Sequence, residues 1–210
     1  MRCALSWLGA TVIVASLCWL FPPFHVVPLR DARQQQQRGV FNAATFAAAF
    51  WDNQLLPAAG QATLATEVLS ALAHDPEAAR KRFGHSPGLS AGCYFFVKGS
   101  GQITAIEKEG IRIALVGAEI KASVQLHTGL LFGNSLRDAT GLLNISDFPN
   151  SQDFNDLSAE LNRLVETRVL PELRERAAVG KIILFVGCIE LTDAATPEVF
   201  EVVPVKADWQ

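Results

Sequence analysis

From Cys93 onward the spacing of apolar residues changes from a helical period to a period of two, and the order of the segments that follow admits few folds. CYFFVKGSGQITAI reads as a long strand bent at Gly99 or Gly101, where a missing side chain permits a bulge or a sharp coil. GIRIALVG follows a turn at Lys108–Gly110, with Ile111, Ile113 and Leu115 alternating against Arg112 and Ala114. KASVQLHTGLLF supplies a third strand, with Val124 and Leu126 on one side. A helix then carries Phe154, Leu157, Leu161, Leu164 and Val165 on one face and takes Asn150 or Ser151 as its cap. Pro171 kinks that helix or begins a new segment, and Gly180 terminates it. KIILFVGCIEL and VFEVVPVKA are the last two strands. Three strands, a helix and two strands is the order of the OB-fold, a five-stranded, partly open barrel. An open antiparallel sheet with a helix on one face has the same order.

The preceding stretch has a different rhythm. In FNAATFAAAFWDNQLLPAAG, Asn42 can cap a helix on which Phe46, Phe50 and Trp51 share one side, and Pro57 and Gly60 mark its end. A second helix is expected from about Gln61 to Ala73, with Leu64, Val68, Leu69 and Leu72 as its apolar stripe. His74-Asp75-Pro76-Glu77 restarts a third: Asp75 as cap, Pro76 in the first position, Glu77 at the positive end. The expected class is therefore α+β, with a helical part over residues 41–90 and an OB-like five-stranded β-barrel over 91–210, its long helix between strands 3 and 4.

Residues 1–40 set the compartment. Ala4 to Phe21 is an uncharged run of 18 residues, followed by Pro22-Pro23. That length exceeds a usual signal-peptide core and just reaches a spanning helix. Arg2 precedes it, which favours a cytoplasmic N-terminus and an exported remainder. The reading is a membrane anchor or signal segment over 1–29, inserted through residues 4–21, and a polar linker over 30–40. An uncleaved anchor comes first and lipidation at Cys18 second, since Leu17 and Ala15 depart from the usual pattern before a lipidated cysteine. The chain carries 18 Lys and Arg against 21 Asp and Glu, a net charge of −3. Without a basic face it is not expected to bind nucleic acid.

Cys93 and Cys188 remain in the exported part. No Cys-x-x-Cys or His-Cys cluster suggests a zinc site, and neither a metal nor a cofactor is expected. In an OB-like barrel the first strand lies antiparallel to the fourth, so Cys93 and Cys188 could be neighbours and form a disulfide; two buried free thiols are the alternative.

Two polar knots interrupt the pattern, GNSLRDATG (133–141) and DFPNSQDF (147–154). The first reads as neither helix nor strand. Arg137 with Asn134 could hold a carboxylate, a phosphate or sugar hydroxyls, because a guanidinium fork suits planar acceptors. Alternatively, Arg137 makes a buried ion pair with Asp147 or Asp153 and fixes the corner between strand and helix. Asp153 and Asp156 fall in a first helical turn, where the dipole favours acids. The four histidines are scattered, and no nucleophile elbow or phosphate-binding glycine loop is present. The candidate recognition surface is Asn134, Arg137, Asp138, Asp147 and Asn150. A small-molecule hydrolase using Asp138 and Asp147 is the alternative function.

FNAATFAAAFWDNQLLPAA, GNSLRDATG, SDFPNSQDFNDLSAELN and GKIILFVGCIEL together resemble a bacterial family of predicted periplasmic lipoproteins of unknown function, over about Pro22 to Val205. The resemblance implies a periplasmic, membrane-tethered protein often encoded beside ribose-type sugar ABC transporters, and it supplies no activity or binding residue. The expectation is a non-enzymatic accessory or binding protein on the periplasmic face of the cytoplasmic membrane, with sugar ABC transporter components as partners.

Overall fold

A computed structural model of the protein describes residues 41–87, 92–117, 123–192 and 197–210. The anchor, the linker and Cys18 lie outside the described residues. Among the described residues no helix is long and apolar enough to cross a membrane. The chain divides into two units, residues 1–41 and 42–210, and the second carries every element below. The helical part and the strands thus belong to one compact unit.

The strands are β1 (Thr63–Leu64), β2 (Cys93–Ile106), β3 (Gly110–Leu115), β4 (Ser123–His127), β5 (Ile182–Leu191) and β6 (Val199–Trp209). β2 pairs antiparallel with β3 and also with β5, β3 pairs with β4, β4 runs parallel to β6, and β6 returns antiparallel to β5. The order β2-β3-β4-β6-β5 therefore leads back to β2. This circular pairing sets aside the open-sheet alternative. It also matches the expected neighbourhood of the first and fourth long strands.

The sheet has six strands rather than five, because β1 pairs parallel with β2 at Val97 and Lys98. Those residues come from the stretch expected to begin the second helix. Leu64 is exposed instead of joining the apolar stripe, and that helix, α2 (Ala65–His74), buries Val68, Leu69 and Leu72 as expected.

β2 changes partners along its length, meeting β5 over 93–102 and β3 over 101–106. At the switch, a Cβ on Gly101 would collide with Ile113 and the Ala114 backbone. The glycine is needed because two strands crowd one position. The bulge lies further on, between Ile103 and Ala105. Alternation then gives the inner face: Phe95, Val97, Ile103, Ile111, Ile113, Val124, Leu126, Ile183, Phe185, Ile189, Phe200 and Val202 are buried.

α1 (Ala43–Phe50) is capped by Asn42, whose Oδ1 accepts from Thr45 N at 2.9 Å. It continues through a wider turn at Trp51–Leu55 to a last turn at Ala59–Gln61. α3 (Pro76–Phe83) has the expected Asp75 cap, with Ala78 N donating at 3.0 Å. The long helix is α5 (Ser151–Arg168), and Pro171 opens the separate α6 (Leu170–Arg176). α1 packs along α5. Phe148 joins them, 5.4 Å from the Phe46 ring and 4.9 Å from that of Phe154.

Candidate functional site

The first polar knot contains one helical turn, α4 (Ser135–Asp138), between two glycines with positive φ, Gly133 at 85° and Gly141 at 67°. The glycines turn the chain into and out of the corner through a region closed to most side chains. At Gly141 a Cβ would also lie 2.7 Å from the His85 ring. His85 is held there by two backbone hydrogen bonds with Tyr94, both 2.8 Å.

Arg137 and Asp138 are buried and pair with each other. Arg137 Nε donates to Asp138 Oδ1 at 2.7 Å and Nη2 to Oδ2 at 2.9 Å. Nη1 donates to the Phe154 carbonyl at 3.2 Å and to Asn155 Oδ1 at 3.3 Å, while the guanidinium lies 3.7 Å from the centre of the Phe154 ring. This is a two-pronged pair with its remaining donors largely engaged, the arrangement a buried charge requires. The expected ion pair at the corner exists, but its acid is Asp138, not Asp147 or Asp153. Adjacency in sequence argued against this pairing, yet stacking on Phe154 turns the guanidinium back onto its neighbour.

The other candidates are elsewhere. Asp147 ends a short 3-10 turn, Ile145–Asp147, and is exposed. Asn150 caps α5: its Oδ1 accepts from Asp153 N at 2.9 Å, and its Nδ2 donates to Asp153 Oδ2 at 2.9 Å. Asp156 accepts from Gln152 at 2.7 Å. The second knot is therefore a helix cap. Asn134, Arg137 and Asp138 do share one feature, a cleft of about 640 Å³ that His85, Ser86, Tyr94, Asn144 and Asn155 also line.

Several of its residues escaped sequence reasoning. Glu190 on β5 accepts from Tyr94 Oη at 3.2 Å and from Ser135 Oγ at 3.0 Å, so it ties α4 to the sheet. An acid in the apolar run GCIEL was the available signal. Asn162 Nδ2 donates to the Gly133 carbonyl at 3.1 Å, and Leu131 N donates to Glu166 at 2.9 Å, fixing the incoming segment to α5.

The disulfide is not formed: Cys93 and Cys188 are both free and buried. Their strands do pair, but Cys93 stands opposite Leu191 and Cys188 opposite Phe96. An offset of three residues puts the side chains on opposite faces of the sheet. Burial pushes the Cys188 thiol far above its ordinary range. Burial also raises Cys93, against a hydrogen bond from Ser86 and the charge of Arg80, which lower it. Neither is an activated nucleophile. Among the described residues no group of three His, Cys, Asp or Glu side chains could hold a metal ion.

The fold and the corner define a mixed α+β protein of OB type. A crystal structure of an OB-fold protein from Thermotoga maritima MSB8 is similar to it, with a TM-score of 0.70 and 28% identity over 81% of this chain and 99% of that one. The chain belongs to the family described as predicted periplasmic lipoprotein (DUF2291), whose pattern matches residues 10–208. The family's description has no activity in it, and it agrees with an exported, lipid-tethered protein. No curated protein matches the chain.

Proposed function

We propose that the protein is a non-enzymatic accessory or binding component on the periplasmic side of the cytoplasmic membrane, serving sugar ABC transport by docking on a transporter component. The observation that carries this reading is the corner at 133–141: a rigid wall whose charges satisfy each other, facing an open cleft. What such a wall offers a partner is shape and neutral polar groups, namely the Asn134 and Asn144 amides, the Ser86 hydroxyl and the His85 ring. The paired-aspartate hydrolase loses its support here, because Asp138 is clamped by Arg137 and Asp147 stands outside the cleft. A general acid or base must reach the reacting proton.

The test is recovery of the full-length protein from its native membrane in mild detergent, with co-purifying proteins identified by mass spectrometry. Wild type is expected to bring down a sugar permease or its binding protein. Asn134→Ala, on the cleft but outside the ion pair, is expected to lose that partner with its melting temperature unchanged. A protein recovered alone, or one whose partners survive Asn134→Ala, would overturn the docking role of the corner.

A further inference from the structure

A second cleft, of about 570 Å³, lies away from the corner, where the first helical segment, α6 and the end of β6 meet. Its charged lining is balanced and tied in three short pairs. Arg168 donates to Asp52 at 2.9 Å, Arg176 to Glu172 at 2.6 Å, and Lys206 to Asp208 at 2.7 Å. Each of these side chains is between 43% and 59% exposed. Pairs so open contribute little to stability, so their donors and acceptors can be redirected to a ligand at small cost. Trp209 forms part of the same wall, with Arg176 5.4 Å from its ring centre. Its indole Nε1 is covered and finds no acceptor, a donor left unspent.

The geometry points to a binding site for an uncharged, polyhydroxylated ligand in this cleft, that is, a saccharide of one or two rings. The argument is one of chemistry. Three cations against three acids give no net charge with which to attract a lone anion or cation. They do give carboxylates that accept and guanidinium and ammonium groups that donate, at several points around one cavity. A ligand whose every hydroxyl both donates and accepts can use all of them. The indole contributes a flat apolar wall for the C–H face of a sugar ring and an N–H for one of its oxygens. The volume falls within the range of small-molecule sites. This site stands on its own lining and goes beyond the docking role given to the corner.

Isothermal titration of the full-length protein in detergent with D-ribose, D-glucose and maltose tests it, with glycine betaine and inorganic phosphate as charged controls. Saturable heat is expected with at least one sugar and with neither control. Trp209→Phe, which removes the N–H and keeps an aromatic ring, is expected to weaken binding about tenfold, the equivalent of one lost polar contact. Asp52→Asn with Glu172→Gln, on exposed positions that leave the fold intact, is expected to weaken it similarly. No saturable heat with any sugar, unchanged binding in both variants, or binding of a charged control instead would each overturn the proposal. None of those results bears on co-purification with a permease, so the two readings fail separately.

Discussion

The corner at 133–141 and the cleft beside Trp209 hold the same kinds of side chain in opposite circumstances. At the corner, Arg137 and Asp138 have side chains 7% and 2% exposed, and the guanidinium is fixed on four atoms and a ring. Beside Trp209, three pairs of equal or shorter length stand about half in solvent. Distance alone does not separate them; desolvation does. A buried pair cannot be half dismantled without stranding a charge, while an exposed pair can change partners freely. The first therefore serves the architecture, and the second is available for recognition.

The largest expected effect follows from removing one side of the buried pair. Asp138→Ala leaves Arg137 desolvated without its acid and should destabilise the unit by about 3–5 kcal/mol in urea unfolding. A cost below that of an ordinary surface change would mean the pair is open to water. Gly141→Ala comes next, at about 1–2 kcal/mol, because a side chain is strained at positive φ and meets the His85 ring. Thermal melting reads that directly. Asn150→Ala should remove about 1 kcal/mol by unbinding the first turn of α5, and Asn150→Ser should restore most of it. Asp52→Asn should change stability by no more than about 0.5 kcal/mol, because its pair with Arg168 is exposed. That contrast with Asp138 would break if the two substitutions cost alike.

The thiols add a pH dependence. Both are raised from an ordinary value of 9.0, because burial disfavours the thiolate in the folded state. The folded state holds its protons longer than the unfolded one, so this contribution is full below pH 9 and is lost as pH rises above it. Cys93→Ala and Cys188→Ala together should flatten the alkaline fall in stability measured by urea unfolding.

Much of the fold was legible because local rules and tertiary demands agree. Asn42, Asp75 and Asn150 cap the helices their sequences announce, and Cys93–Ile106 is strand from end to end. Thr63–Leu64 was not legible: its helical spacing is overruled by the free edge of β2 at Val97 and Lys98. The cysteines show a finer limit. Strand order made Cys93 and Cys188 neighbours, but only the register, absent from any periodicity, puts them on opposite faces. At the corner, the presence of an ion pair could be argued from burial. Its partner could not, because the turn of α4 and the Phe154 ring that fold Arg137 back onto Asp138 come from segments 17 residues apart.

The most direct test of the corner's structural role is a double-mutant cycle on Arg137→Met and Asp138→Leu, read by urea unfolding of the full-length protein in detergent. Each single substitution is expected to cost several kcal/mol and the double to recover most of it, with a coupling of at least about 2 kcal/mol. Singles that cost little and simply add would contradict a buried, mutually dependent pair, and would return Arg137 to the role of a free ligand-binding side chain.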